Sequence, residues 1–227
     1  MLNKTQRLQR WFEERPGPDV EPYGEYMHVG ANQSLVRVLL EGINITPATV
    51  VLDAACGLGG NARWLASLYG CRVYGNDIDE DALETARELA VIEHVDHLCT
   101  FVSTPAESLS FDDSIFDIVL STEGVYDAGE VRRVLKPGGR FMFTNYFSDR
   151  EVTPEGLAGE YGMDLELAHD VTQVALAFHR AKEAEARLLT DANMLDTRQL
   201  VQLMNATIKP YAIDGGRHLL MRLRRPG

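Results

Sequence analysis

DAACGLGGNA, residues Asp53 to Ala62, places an aspartate and then three glycines within four residues where one apolar run stops and a helical pattern begins. Before it, Thr49 to Ala54 (TVVLDA) is short, apolar and β-branched, which predicts a strand. After it, Asn61 to Leu68 has helical spacing. Glycine at a strand-to-helix turn permits positive φ and lets the backbone approach a ligand that a Cβ would block.

Outward from this turn the chain alternates. Cys71 to Asn76 predicts a second strand, Leu98 to Val102 a third, Phe116 to Leu120 a fourth and Arg140 to Thr144 a fifth. Between them Asp79 caps a helix with Ala82, Leu83, Ala86 and Leu89 on one face. A short helix through Val131, Val134 and Leu135 is expected to stop at KPGG. Such alternation of short apolar strands with helices means a parallel sheet covered on both faces. Ligands of these sheets sit outside the C-terminal ends of the strands. Upstream, Thr5 to Glu14 predicts a short amphipathic helix with Leu8, Trp11 and Phe12 as its apolar side, RPGPDVEPYGEY a loop, and Gln33 to Leu40 a second helix.

Gly57, Gly59 and Ala62 fit G-x-G-x-x-A, and Asp77 follows Gly57 by twenty positions, at the end of the second strand. An acidic residue there can hold ribose hydroxyls, so the pattern fits a nucleoside cofactor. Asp53 narrows the choice. A carboxylate this close to the helix N-terminus repels the pyrophosphate of a dinucleotide. A cofactor with a cationic amine and a sulfonium tolerates or prefers it. Asp53 can also serve as a cap on the turn amides, which is compatible with that reading.

Composition bounds the rest. The 227 residues are 45% hydrophobic, enough for one sizeable core, and one domain over 1–227 is the expectation. A formal net charge of -12 disfavours nucleic acid and anionic membrane as partners. The short basic run Arg222 to Arg225 reads as a solvated strand end. The N-terminus lacks an apolar signal region and no run approaches a membrane span, so a cytoplasmic protein is expected. Cys56, Cys71 and Cys99 form no paired motif and imply no disulfide framework, and no histidine spacing implies a metal.

VLDAACGLGG, YGNDID, AESLSFDDSIFDIVLS and VLKPGGRF, in this order over Thr49 to Asn145, resemble the sequential motifs of class I S-adenosylmethionine-dependent methyltransferases. The resemblance implies a doubly wound, seven-stranded, mostly parallel sheet with one antiparallel strand. It implies a helical N-terminal cap over 1–45, a cofactor-binding half over 49–150, and lid helices with the last strands over 151–227. Pro154 to Tyr161 would be a helix, Asp164 to Asp170 strand six, Val171 to Leu189 an inserted lid helix and Arg217 to Leu223 the last strand. It carries the methionine end of S-adenosylmethionine to Asp53, Ala54, Gly57 and Gly59, ribose to Asp77 and adenine packing to Ile78. Thr104-Pro105-Ala106-Glu107 matches the adenine-edge motif. Pro105 stands where the family often has an acid, which leaves the backbone near Ala106 to meet the adenine amine.

Many relatives carry a histidine after strand four; here that stretch is TEGVYDAGEVR, without one. Methyl transfer can run largely on in-line positioning, but a hydroxyl acceptor needs a base. Candidates near the strand ends are Glu123, Tyr126 and Tyr146, with His28 entering from the cap. His179, beside Phe178, reads as a helix-face histidine, and His218 shows no metal spacing. The expected function is methyl transfer from S-adenosylmethionine to an O, N or C atom of a small-molecule metabolite, releasing S-adenosylhomocysteine, by a monomer or homodimer. The rivals are a methyltransferase-like protein that runs another reaction or scaffolds, a nucleotide-dependent oxidoreductase, and a macromolecule methyltransferase, which the acidic charge disfavours.

Overall fold

The computed structural model describes residues 3–7, 10, 33–124, 126–149, 151–191 and 215–227, with backbone alone at 182, 183, 185, 186 and 188–191. His28, Trp11, Phe12 and most of the 1–45 cap therefore lie outside the described residues. The elements are α1 (Gln33–Leu40), β1 (Val50–Ala54), α2 (Gly60–Tyr69), β2 (Arg72–Asp77), α3 (Glu80–Ile92), β3 (Cys99–Ser103) and β4 (Phe116–Thr122). They continue with α4 (Ala128–Val134), β5 (Leu135–Phe147), α5 (Pro154–Glu160), β6 (Asp164–Asp170), α6 (Thr172–Asp191) and β7 (Arg217–Arg224).

The strands form one seven-stranded sheet in the order β3-β2-β1-β4-β5-β7-β6. β1 to β5 run parallel, and β7 is antiparallel to both β5 and β6. All five β1 residues are buried, as expected of a central strand covered on both faces. One face packs Leu39, Leu65, Leu83 and Ala86 from α1, α2 and α3 against Val51, Val73 and Leu120. The other packs Val131, Val134 and Leu157 from α4 and α5 against Leu52, Val119 and Phe143.

Local rules explain most boundaries. Asp79 accepts from the amides of Asp81 and Ala82 and so starts α3. α2 stops at Gly70, whose φ of 65° places it in the left-handed cap region. Among the described N-terminal residues, 4–7 and 10 are helical. Arg7 ties this turn to α3 through Glu88 and through Thr85 Oγ1 at 2.6 Å.

Three expectations are corrected. KPGG does not separate α4 from a later strand: β5 already begins at Leu135, which pairs with Phe116. The register then shifts before Ile118 meets Arg140, so KPGG is an irregularity inside the pairing, with Gly138 at φ 76°. Val174, Phe178 and Leu188 have the spacing of an apolar side, yet in α6 Val174 is 50% exposed, Ala175 and Leu176 are buried, and the Leu188 side chain lies outside the described residues. Among the α6 residues whose side chains are described, the buried apolar ones lie at the start of the helix. The arginines expected as a solvated strand end are partly employed: Arg222 donates to the Leu39 and Glu41 carbonyls, and Arg224 pairs with Asp164 at 2.9 Å.

Candidate functional site

The parallel strands bring their C-terminal ends to one rim of the sheet, and the reversed β7 brings its start to the same rim. Buried polar side chains gather there. Asp53, Asn76, Ser121, Thr122, Thr144 and His218 are all buried. Burying a polar group costs free energy unless it is partnered, so their concentration at one edge marks a site. Asn61 Oδ1, Asn76 Oδ1, Ser121 Oγ, Thr104 Oγ1 and Thr144 Oγ1 have no hydrogen-bond partner among the described residues.

The glycine turn is held by two carboxylates. Asp53 Oδ2 accepts from Ala62 N at 3.1 Å, and Asp77 Oδ2 accepts from Gly57 N at 2.8 Å. The other Asp77 oxygen accepts from Asp79 N at 3.0 Å. Asp53 thus caps one amide in the first turn of α2, close to the capping role that the alternative reading of the sequence gave it, while the Gly57 turn amide goes to Asp77. Burial pushes its pKa from 3.8 to about 7, the Ala62 amide opposes that, and the Asp77 charge adds to it. A cationic group arriving beside it would favour the ionised form.

The glycines divide their work. At Gly57, φ is 52° and a Cβ would meet nothing within 4 Å, so the turn opens there onto free space. At Gly59, φ is 67° and a Cβ would sit 2.6 Å from the Phe101 ring. Gly75 faces the same ring at 2.7 Å. Gly57 leaves a cradle, whereas Gly59 lets the helix close on the sheet. Ala54 is buried in the core below the turn.

Ile78 is 74% exposed directly after Asp77, an apolar side chain with an uncovered face at the rim. Pro105 is exposed, while the Ala106 side chain belongs to the core, so only backbone at Ala106 can serve a ligand. These residues fit a nucleoside with an amino-acid end: an apolar surface at Ile78, a carboxylate at Asp77 and an open turn at Gly57 above Asp53.

Past the ends of β1 and β4 stand two strained residues. Ala55 has φ 56° and Glu123 has φ 64°. Each costs about 1–2 kcal/mol for a residue with a Cβ. The Glu123 amide donates to the Thr144 carbonyl at 2.9 Å, and Glu123 Oε1 lies 2.8 Å from His218 Nε2. Beside it, a Cβ on Gly124 would sit 2.6 Å from Ala55 Cβ, so the loop after β4 lies directly on the loop after β1.

Tyr146 stands opposite His218 in the β5–β7 register and packs against Ala175 and Leu176 of α6. Tyr126 is a correction. Its ring sits edge-on to Phe141 at 4.9 Å inside the aromatic core, its hydroxyl lies 3.4 Å from Tyr161, and burial pushes the phenol pKa well up. A phenol held neutral in the core is not a base. His28 lies outside the described residues.

Sequence reasoning missed Arg63 and His218. Arg63 is wholly buried on α2; its Nη1 donates to the Leu58 carbonyl, and its Nε pairs with Glu93 at 3.1 Å. It braces the glycine turn from below. The one available signal was an arginine among the apolar residues of a short helix. No spacing signal joins His218 to Glu123, because the fold alone brings them together. No group of three or more histidines, cysteines or acids able to hold a metal exists among the described residues. Among them too, no helix is long and apolar enough to cross a membrane.

Residues 52–143 match the family model described as a methyltransferase domain. Sarcosine/dimethylglycine N-methyltransferase of Halorhodospira halochloris is 31% identical over 153 residues, covering 59% of this chain and 54% of that protein. The first curated relatives are spanned over 22–54% of their own length. Phosphoethanolamine N-methyltransferase 2 of Haemonchus contortus, solved with S-adenosyl-L-methionine, superposes with a TM-score of 0.70 at 19% identity, covering 89% of this chain and 54% of that one. The [4+2]-cyclase SpnF superposes with a TM-score of 0.67 at 18% identity, covering 99% of this chain and 96% of that one.

Proposed function

We propose that this chain, which carries a class I, Rossmann-like methyltransferase domain, moves a methyl group from S-adenosylmethionine to an O, N or C atom of a small-molecule acceptor. The observation that carries the reading is the turn at Gly57. It is open where a Cβ would stand, its amide is bound by Asp77, and the buried Asp53 lies behind it.

In this reading Asp53, Ala54, Gly57 and Gly59 form the wall for the methionine end. Gly59 serves indirectly, by allowing α2 to approach Phe101. Asp77 takes the ribose hydroxyls, Ile78 covers one adenine face, and the backbone at Pro105 and Ala106 borders its edge. S-adenosylmethionine supplies an electrophilic methyl on a sulfonium. The chain's task is then to aim a nucleophile at it and to keep water out. Glu123 and Tyr146 border the space beyond the turn, and α6 covers it from the side of Tyr146. The acidic chain and the small neighbours favour a small metabolite over nucleic acid or membrane. A cytoplasmic protein acting as one domain, as monomer or homodimer, accords with this.

The amine-methylating relative and the cyclase of like fold share this architecture, so the fold does not choose the acceptor or the reaction. A protein that binds the cofactor and runs another reaction or only scaffolds is the second reading, since a cyclase shares the fold. Calorimetry with S-adenosylhomocysteine and NAD tests the first. Micromolar-range binding of the former and none of the latter is expected; tight NAD binding alone overturns the reading. Label transfer from methyl-labelled S-adenosylmethionine into small amines, phenols and alcohols then separates methylation from other chemistry.

A further inference from the structure

We infer that Glu123 accepts a proton from the methyl acceptor and that His218 is the positioning residue that aims it. The acceptor is therefore one that loses a proton as it is methylated, an ammonium or a hydroxyl. The inference rests on the proposed function and adds His218 and the acceptor class to it.

The geometry makes a chain of contacts. His218 is wholly buried, and its Nε2 lies 2.8 Å from Glu123 Oε1. Its backbone is fixed at both ends of the peptide: its amide donates to Thr172 Oγ1 at 2.9 Å, and its carbonyl accepts from Val171 N at 2.8 Å. The ring therefore has a rigid mount at the foot of α6. Glu123 is held in a left-handed backbone by the hydrogen bond its amide donates to the Thr144 carbonyl. Strain of this kind persists where surrounding structure enforces it, and it clusters at working sites. The Glu123 carboxylate retains 16% side-chain exposure, while its histidine has none. Its neighbour Gly124 lies on Ala54 and Ala55, at the methionine end of the proposed cofactor site.

The step balances simply. An ammonium first gives its proton to Glu123, and the electrons freed from that N–H bond are the pair that bonds to the methyl carbon. A hydroxyl bonds through an oxygen lone pair as its proton leaves to Glu123, and the electrons of its O–H bond stay on oxygen. In both cases the carbon–sulfur pair leaves with sulfur as a thioether. His218 touches neither reactant; it keeps the carboxylate turned to the rim.

Sinefungin and S-adenosylhomocysteine test this without a known acceptor. Sinefungin carries an amine where the methyl-bearing sulfonium would be, so it reports a carboxylate at that point. Calorimetry should show wild type preferring sinefungin by about tenfold, the scale of one charge-assisted contact. Glu123→Gln should lose that preference with S-adenosylhomocysteine affinity within about twofold of wild type. His218→Leu should lose it too, and His218→Gln, which keeps a donor near the Nε2 position, should restore most of it. Melting curves identify any variant that fails to fold, and Glu123→Gln and His218→Gln keep the test decisive if His218→Leu does. An unchanged preference in Glu123→Gln, or none in wild type, overturns the inference. Failure of wild type to bind S-adenosylhomocysteine overturns instead the function on which it rests.

Discussion

The two halves of the rim are built in opposite ways. On the side of β1 and β2, everything from Asp53 to Ile78 comes from one strand–turn–helix–strand unit. Its contacts are short in sequence: Asp53 to Ala62 and Asp77 to Gly57. On the side of β4, β5 and β7, Glu123 comes from the loop directly after β4, Tyr146 from β5 and His218 from β7, strands joined by non-local pairing. The first half is a motif and the second is an assembly. A motif keeps its residue types at fixed spacing because one turn must close on itself. An assembly fixes positions in space and leaves spacing free.

The largest expected effect would break the first half along its internal division of labour. Gly59→Ala forces a Cβ into Phe101 and keeps a left-handed φ, so it should destabilise the fold by up to ~5 kcal/mol. Gly57→Val should cost only about 1–2 kcal/mol of backbone strain but should abolish S-adenosylhomocysteine binding. Denaturant melts and calorimetry on both variants check this. Equal losses of stability and affinity in the two would mean that they share one role.

Asp53 gives the next effect. Its folded pKa is raised, so between pH 3.8 and about 7 the folded state holds a proton that the unfolded state has released. Stability therefore falls as pH rises through that window, by at most ~4 kcal/mol from this group. Asp53→Asn, which keeps an acceptor for the Ala62 amide, should flatten that fall. Urea midpoints from pH 4 to 8 measure it; parallel curves for the two proteins would refute the assignment.

Asp77→Ala should weaken cofactor-product binding by roughly 1.5–3 kcal/mol, the range for charge-assisted bonds to hydroxyls. It also frees the Gly57 amide, so some loss of turn order should accompany it. An unchanged dissociation constant with intact circular dichroism would remove Asp77 from the ribose.

The smallest effect sharpens the second half. α6 buries Ala175 and Leu176 at its start, while Ala181, Ala184 and Arg187 further along are exposed. Amide exchange should be slow near Ala175 and at least tenfold faster beyond Arg180, with the gap narrowing when an acceptor analogue and cofactor product are bound. Uniform protection matching β1 in both states would make α6 a static element.

The same division explains what could be read in the sequence. β1 to β4 stand within a residue or two of their expected bounds, because short apolar strands bordered by Gly, Asp and Asn declare themselves locally, whereas β6 and β7, equally near their expected bounds, were placed by the family resemblance alone. KPGG did not: a proline and two glycines stop a helix, and only the pairing of Leu135 with Phe116 shows that a strand has already begun. Asp53, Gly57 and Asp77 were visible as a spaced motif. Gly59 was assigned to the ligand because the motif cannot show Phe101 behind it. Tyr126 looked available from its place after β4, but its ring turns into the face that holds Phe141 and Phe143. His218 carried no signal, since its meaning depends on a partner that only sheet order supplies.

The sheet order also fixes when the site can be complete during folding. β6 precedes β7 in the chain but pairs only with β7, and β7 must insert between β5 and β6. Until it does, β5 presents an open edge and β6 has no neighbour. Non-local pairing of this kind forms slowly, and an unpaired edge is where chains stick to one another. β1, β2 and β4 need no such wait. The turn bearing Asp53 and Asp77 can therefore close early, while the ring of His218 arrives with the step that seals the sheet. Pulse-labelled amide exchange during refolding should find β1 protected before β7, so that a half-folded chain has a cofactor turn but no finished rim.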